Sequence, residues 1–221
     1  MNLAEEFVLL AHADDGSLET DSMRLANGLG GALLLELALA GRVDVEDKRV
    51  VVVDPAPTGD ALADSALATI AASKPKKPDH WVQKLAKGTR EQVLDKLVAE
   101  DVLRREQGKV LLVFPRTRYV AAHGVEPVAE TQVRQRLRAA VAASGAVDRR
   151  TSALCALVAA TGLDRKVFAE LDRKQVKQRL TEISEGEWAA TAVKKSIEAV
   201  QAAVMVAIIA STTASTAGSG S

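Results

Sequence analysis

Aromatic residues and cysteine are scarce in this chain, and each shortage excludes a class of protein. Phe, Trp and Tyr make up 3 % of the 221 residues, whereas 48 % are hydrophobic, with Ala, Leu and Val abundant. Because Ala and Leu are strong helix formers, a core of this composition is typical of packed helices. The single Cys155 excludes a disulfide framework. It lies in an apolar run with no His partner indicated, so we expect a core residue and no nucleophile.

The chain also lacks an excess of charge and a long apolar run. Lys+Arg and Asp+Glu balance at 29 each, so no global field draws it towards nucleic acid, and an anion site must be a local patch. Residues 1–6 are acidic where a secretory signal would be basic. The apolar run 202–210 is far shorter than the ~20 residues that span a bilayer. These features predict a cytoplasmic protein with, at most, peripheral membrane contact.

Nothing in the sequence predicts a catalytic or metal site. His12, His80 and His123 are widely separated and lack ligand spacing, which argues against a bound metal. Asp54, Asp60 and Asp64 could suggest paired carboxylates, but we expect Asp60 to cap a helix and Asp64 to lie on its outer face. We therefore predict that the protein is not an enzyme and holds no cofactor.

Hydrophobic periodicity predicts a mainly α fold, namely one compact helical domain over residues 1–210 with peripheral short β-hairpins. Residues 211–221 contain only Ser, Thr, Ala and Gly, which predicts a disordered tail. The expected helices cover 3–11, 27–40 (ended by Gly41), 60–73, a segment capped by Asp79, 90–100 (capped by Thr89), 130–143, 149–160 (capped by Asp148), 167–184 and 188–210. The expected hairpins are 42–45 with 49–53, and 102–104 with 109–114 around Gln107 and Gly108, followed by an irregular loop at 115–127.

The glycines of 28–31 open the second expected helix and admit two interpretations. A phosphate-binding loop would follow a strand and end in Gly-Lys-Ser/Thr, and this segment does neither. Close helix–helix packing through small residues is the interpretation that we favour.

Basic residues gather at the expected junction of two helices. Lys84, Lys87 and Arg90 lie close together, just after the connector 74–78, and Thr89 begins the next helix. Backbone N–H groups at a helix start, together with Lys and Arg, suit a phosphate monoester. The alternative is that these residues form an ordinary solvated face.

The order of motifs resembles the Golgi phosphoprotein 3 family over roughly Leu3 to Ala210. The matching segments are Leu3-Ala4-Glu5-Glu6-Phe7-Val8-Leu9-Leu10, Gly28-Leu29-Gly30-Gly31, Leu35-Glu36-Leu37-Ala38-Leu39-Ala40-Gly41-Arg42-Val43, Pro57-Thr58-Gly59-Asp60, Trp81, Arg90-Glu91, Leu97-Val98 and Asp148-Arg149-Arg150-Thr151. The resemblance implies a helical domain with β-hairpins that recognises phosphatidylinositol 4-phosphate in a shallow basic pocket.

The resemblance also implies which residues line that pocket. The family uses a Trp and an Arg near the Gly-rich helix start, and two Arg three residues apart on a later helix. The later pair falls on Lys87 and Arg90, whereas the Trp falls on Asp21 and the first Arg on Gly30. Lys87 keeps the charge without the bidentate fork of Arg. We predict a lipid headgroup site of Lys87, Arg90, Arg24 and Lys84, in which Arg24 compensates for the missing first Arg.

The second hairpin bears on membranes and on assembly, because in the family this region projects and is implicated in oligomerisation. Here Arg116, Arg118, Tyr119 and Val120 combine basic, aromatic and apolar side chains, which suits a membrane or oligomer contact. The alternative is that Tyr119 simply covers the core.

We predict a peripheral membrane protein whose partners are an anionic phospholipid or phosphoinositide and the membrane surface, with a homo-oligomer formed through the second hairpin. One alternative is a scaffold that binds only protein through the apolar C-terminal helix or the Tyr119 loop. Another is a DNA-binding module, since 90–113 resembles the end of a winged helix. The acidic residues of that segment and the neutral net charge argue against nucleic acid. The Ala-, Val- and Arg-rich composition is typical of a GC-rich bacterial source.

Overall fold

The computed structural model describes residues 1–13, 15–110, 114–185 and 191–217, with side chains described except at 108–116, 185–196 and 211–217. Within these ranges the chain is mainly α, which confirms the predicted fold class. The helices are α1 Leu3–Leu10, α2 Ser22–Leu39, α3 Ala61–Ala71, α4 Pro78–Leu85, α5 Thr89–Ala99, α6 Val128–Ala142, α7 Arg149–Thr161, α8 Asp164–Val167, α9 Arg173–Glu185 and α10 Thr191–Ala217. The strands β1 Val43–Glu46 and β2 Arg49–Val52 form one antiparallel pair, and β3 Leu103–Val110 and β4 Phe114–Ala121 form another.

Helix α2 lies at the centre of the fold, in contact with α1, α3, α4, α7 and α10. It begins at Ser22 and not at the predicted Asn27, because the Asp21 carboxylate caps it by accepting the backbone N–H of Arg24 at 2.8 Å. At its other end Gly41 has a φ of 68°, and the N–H of Arg42 donates to the carbonyl of Leu37. This is a Schellman ending, as the predicted terminal glycine requires.

The glycines of α2 allow close helix packing, which confirms the favoured interpretation of this segment. A Cβ at Gly28 would overlap the ring of Phe7 on α1, and one at Gly31 would lie 3.1 Å from Leu157 Cδ2 on α7. Neighbouring helices therefore approach the α2 backbone from different sides.

The first hairpin is extended by the basic connector that follows α3. Asp47 and Lys48 have positive φ and form the turn. The N–H of Val50 donates to the carbonyl of Lys76 at 2.8 Å, so the connector lies along the edge of β2. Helix α4 then begins at Pro78, and Lys77 occupies the N-cap. The prediction that Asp79 caps this helix is wrong, because proline favours the first helical position and Asp79 falls inside the first turn.

The second hairpin is longer than predicted and its turn lies elsewhere. Gln107 pairs with Thr117, and Gly108 with Arg116, in the middle of the ladder. The pairing extends to Val110 with Phe114, and residues 111–113 between them lie outside the described residues. The predicted turn at Gln107 and Gly108 is therefore wrong. The predicted irregular loop at 115–127 is wrong as far as Ala121, where β4 ends. Ladder hydrogen bonds outweigh the turn propensity of a single glycine.

The C-terminal part consists of three helices where the sequence predicted two. The predicted helix 167–184 begins later than expected: the short α8 ends at Val167, and the Asp172 carboxylate accepts the N–H groups of Lys174 and Gln175 at the start of α9. Helix α10 extends to Ala217, which lies beyond the predicted start of the tail at residue 211. Trp188, the predicted start of the last helix, and residues 218–221 lie outside the described residues. The division into a domain over 1–210 and a tail stays a prediction.

Buried carboxylates on α1 connect distant parts of the chain. Glu5 is 0 % exposed, and its carboxylate lies 2.5 Å from Lys96 Nζ on α5. Glu6 pairs with Arg136 on α6 at 2.7 Å and with Arg150 on α7 at 3.2 Å. The acidic residues of the N-terminal segment therefore form ion pairs that hold α1 against α5, α6 and α7.

The residues that the sequence offered as catalytic candidates have structural roles instead. Asp60 caps α3 by accepting the N–H of Ala63, as predicted, and Asp64 accepts the hydroxyl of Thr58 at 2.6 Å. Cys155 is buried in α7, and burial raises the pKa of its thiol to about 12. A thiol with that pKa is protonated and unreactive at neutral pH, as expected of a core residue.

Candidate anion-binding site

Three predicted site residues lie at the junction of α4 and α5. Helix α4 ends when the N–H of Ala86 donates to the carbonyl of Val82, and Gly88 reverses the chain with a φ of 76°. Only glycine adopts that conformation without strain. Lys84 and Lys87 are exposed around this turn, and Arg90 is half-buried in the first turn of α5. The sequence cluster is therefore also a cluster in space.

The start of α5 differs from the prediction in a way that matters for anion binding. The N-cap is Gly88 and not Thr89, and no side chain caps the helix. Thr89 is the first helical residue; its buried hydroxyl donates back to the carbonyl of Leu85. The first backbone N–H groups of α5 thus lack a side-chain acceptor and carry the positive end of the helix dipole.

Arg90 faces a buried histidine that sequence reasoning did not select. Burial lowers the pKa of His12, and the charge of Arg90 lowers it further, against the raising effect of the hydrogen bond to Val8. His12 Nδ1 lies 2.8 Å from the Val8 carbonyl and must donate to it, which leaves Nε2 as an acceptor. Among the described residues, neither His12 Nε2 nor Arg90 Nε has a hydrogen-bond partner. Nothing in the sequence indicates that His12 and Arg90 are neighbours, because the packing of α1 against α5 brings them together.

Lys84 is oriented by an aromatic ring. Its Nζ lies 5.2 Å from the ring centroid of Trp81, one turn earlier on α4, while the side chain stays exposed. Trp81 itself is fully buried. The cation–π contact places the ammonium group on the same exposed side of α4 as Lys87.

Arg24 lies on a different side of α2. Its Nε pairs with Asp21 at 2.8 Å, and its Nη1 donates to the Thr161 carbonyl at 3.3 Å, next to α7. Gly30, which touches α4, is about 120° away around α2 at 100° per residue. The contacts of Arg24 in the described part of the chain therefore do not place it beside Lys87 and Arg90. Its positive charge is also partly offset by Asp21.

Gly30 shows why the first Arg of the resembling family has no counterpart here. A Cβ at this position would lie 3.0 Å from Ala86 N and closer still to the carbonyl oxygen of Val82. Both atoms belong to the backbone of α4, which cannot swing aside as a side chain can. A larger side chain at position 30 is thus excluded by the close contact of α2 with α4.

The loop residues predicted for membrane or oligomer contact belong to β4. Tyr119 is half-buried against the core, and the guanidinium of Arg105 lies 5.5 Å from its ring centroid. The Cβ position of Gly16 would lie 2.8 Å from the Tyr119 carbonyl and 3.0 Å from Val120, so the N-terminal loop covers this strand. Arg118 is half-buried, and the side chain of Arg116 lies outside the described residues. Tyr119 covers the core, which was the alternative interpretation.

Sequence reasoning also missed a polar cleft of about 760 Å³ between α2, α7, α9 and α10. Arg24, Arg165 and Lys177 line it together with Asp21 and Asp164. Its mixed charge gives no preference for an anion over a cation. The residues are dispersed along the chain, so no local motif indicates the cleft.

Two kinds of site are not found in the part of the chain that the structure describes. No group of three or more His, Cys, Asp or Glu side chains there is placed to hold a metal ion. Nor does that part contain a helix long and apolar enough to cross a membrane.

Comparison with known proteins gives two findings. The family model described as Golgi phosphoprotein 3 matches residues 3–200. The chain is also similar to the vacuolar protein sorting-associated protein 74 of Eremothecium gossypii, with 29 % identity over 163 residues, which are 62 % of this chain and 47 % of that protein. The chain thus spans about half the length of this curated relative.

Proposed function

Since the chain belongs to the Golgi phosphoprotein 3 family, we propose that it is a peripheral membrane protein that binds an anionic lipid headgroup, by resemblance phosphatidylinositol 4-phosphate. The proposal places the headgroup phosphate at the junction of α4 and α5. Binding there needs no catalytic residue and no cofactor.

The observation that supports this proposal most is the uncapped start of α5 between two cations. The first N–H groups of α5 have no side-chain acceptor, and Lys87 and Arg90 stand on either side of Gly88 and Thr89. A phosphate monoester accepts hydrogen bonds from such N–H groups and from the cations at once. Glu91 is the acidic residue in the first turn of α5, and it offsets part of the positive charge of Lys84, Lys87 and Arg90.

The two cations have different roles in the proposed complex. Arg90 presents a planar guanidinium that can bind two phosphate oxygens, and its Nη groups would make those contacts because its Nε is buried. Lys87 is exposed and acts as a mobile point charge. Lys84 adds a further charge from the preceding turn, whereas Arg24 contributes only to the general field because Asp21 neutralises it.

The same geometry predicts weak discrimination between headgroups. Asp21 supplies no aromatic wall, and Gly30 leaves no room for a second guanidinium fork. We therefore expect phosphatidylinositol 4-phosphate to be preferred over other anionic lipids only modestly. That preference would come from the higher negative charge of the phosphoinositide headgroup and from its contacts with one Arg and one Lys.

Vesicle co-sedimentation tests the proposal. Neutral vesicles are compared with two anionic sets of equal total charge, one containing phosphatidylserine and one containing phosphatidylinositol 4-phosphate. A basic residue near an anionic surface contributes about 1 kcal/mol, so Lys87→Ala with Arg90→Ala should weaken binding by about 2 kcal/mol, or about 30-fold. Arg173→Ala with Lys174→Ala is the matched control, since both residues are exposed on α9.

Each outcome has a distinct meaning. A larger loss for the Lys87 and Arg90 variant than for the control supports the site. Equal losses would remove this site from the proposal and leave a diffuse electrostatic contact. Absence of wild-type binding to any vesicle would refute lipid binding and favour a scaffold that binds only protein.

A further inference from the structure

An apolar groove lies beside α10, at the opposite end of α4 from the proposed headgroup site. It has a volume of about 440 Å³, and its apolar lining comes from α10, β1 and the start of α4. The lining residues are Val45, Pro78, Ala199, Ala202, Ala203 and Val206. Lys48, Lys77 and Asp79 complete the lining, so two cations and one carboxylate accompany the apolar floor.

Helix α10 presents an apolar strip to solvent next to this groove. Val206 is 52 % exposed, Ile209 is 64 % exposed, and Ala202 precedes them on the same side of the helix at a spacing of four and three residues. The other side of α10 packs on the core, where Val204 meets Gly31. Exposed apolar groups that form a continuous strip beside a groove indicate a contact surface, whereas scattered ones do not.

A basic strip along α4 connects the groove with the headgroup site. Pro78, Trp81, Val82 and Leu85 form the buried side of α4. Lys77, His80, Lys84 and Lys87 are all exposed, and of these His80 and Lys84 lie within α4, about 40° apart on its helical wheel. Lys77, the N-cap of α4, lines the groove, and Lys87 follows the C-cap Ala86, so these two lysines lie at opposite ends of a helix about 12 Å long.

We propose that this face, consisting of the α10 strip at Ala202 and Val206, the groove, and the basic strip of α4, lies flat on an anionic bilayer. Val206 enters the boundary between headgroups and acyl chains, while Lys48 and Lys77 meet lipid phosphates at the rim. This inference rests on the proposed function and adds a second, apolar point of contact to the headgroup site.

The charges favour a bilayer over a second copy of the chain. A second copy would present the same two lysines and one carboxylate, so a net positive charge on both sides would oppose association. An anionic lipid surface instead complements that net positive charge, and Asp79 is the carboxylate of the lining that opposes it. Apolar side chains flanked by Lys are the composition with which peripheral helices bury their apolar side in the interface.

A single fluorescent label tests the contact. Cys155 is the one cysteine of the chain and is buried with a raised pKa, so Val206→Cys can be labelled selectively with an environment-sensitive dye such as NBD. Val128→Cys is the control, since Val128 is 72 % exposed on α6, which packs on α1, α7 and α9. Co-sedimentation of the same samples on anionic vesicles measures binding independently.

The expected result is a blue shift and a rise in emission at position 206 on anionic vesicles, with no change at position 128. Unlabelled Val206→Glu should weaken vesicle binding by about fivefold or more, and Val128→Glu should not. Vesicle binding without any spectral change at position 206 would overturn this inference and leave the proposed function intact. No vesicle binding by any sample would overturn both.

The label also distinguishes the other occupants of the face. A blue shift without vesicles that grows with protein concentration would assign the face to a second copy and overturn the bilayer contact. A shift that requires an acidic amphipathic peptide, with none on vesicles, would overturn it in favour of a protein partner.

Discussion

Replacing Gly30 tests the close contact of α2 with α4, on which the interpretation of the headgroup site depends. In an open helical position Gly→Ala would stabilise by about 1 kcal/mol through helix propensity. At Gly30 the new Cβ would overlap the Val82 carbonyl, which already accepts the N–H of Ala86. Relief requires α4 to move by roughly 1 Å, which forfeits up to about half of the dispersion energy at its buried face. Overpacking of a core costs about 1–3 kcal/mol.

We therefore expect Gly30→Ala to destabilise the protein by about 2 kcal/mol in spite of the propensity gain, taking the upper end of that range. Gly30→Arg, which restores the residue of the resembling family, should destabilise it further. Equilibrium urea unfolding measures the free energy of unfolding. In a Trp188→Phe background the fluorescence of Trp81, which is buried on α4, reports on this contact.

The reasoning would be refuted by a Gly30→Ala protein as stable as the wild type or more stable. It would also be refuted by a folded Gly30→Arg protein that binds phosphatidylinositol 4-phosphate vesicles more tightly. Either result would mean that α2 and α4 leave room for the second guanidinium.

Two further predictions concern buried charges. Lys96→Met should lower the free energy of unfolding by about 3 kcal/mol, because it leaves the carboxylate of the fully buried Glu5 without its cation. Urea unfolding measures this loss. Glu5→Gln in the same chain should recover most of it, and the absence of any recovery would contradict the pairing. The pKa of His12 is lowered in the folded state, so its contribution to stability is complete above the unfolded value of 6.5 and is lost as the pH falls below it. Between pH 6.5 and 5 the wild type should lose stability more steeply than His12→Asn, by up to about 1.4 kcal/mol per pH unit, and parallel curves would contradict this.

Local patterns predicted the helices well where caps and apolar faces are strong. Asp60, Asp148 and the glycine after α2 mark helix ends because their effect acts within one turn. The same logic failed at Gly108, where a glycine that favours a turn lies inside a ladder. It also failed at Asp172, whose capping starts α9 at Arg173, six residues after the predicted helix start at Val167.

The candidate site was predictable in part for the same reason. Lys84, Lys87 and Arg90 are neighbours in sequence, so a tight turn alone brings them together. The role of Arg24 depended on which side of α2 it occupies, and the neighbour of Arg90 proved to be His12, two residues after the end of α1. Neither relation follows from the spacing of residues along the chain.

The sequence by itself determined the fold class, the family, the buried character of Cys155 and the basic turn before α5, because composition, periodicity and short motifs act locally. Only the tertiary structure decided that Gly30 has no room for a side chain, that Arg24 turns towards α7, and that Val206 lines the same groove as Lys48 and Lys77. Those facts depend on the distance and rotation of one helix relative to another. Packing of the whole core sets both quantities, and no single segment encodes them.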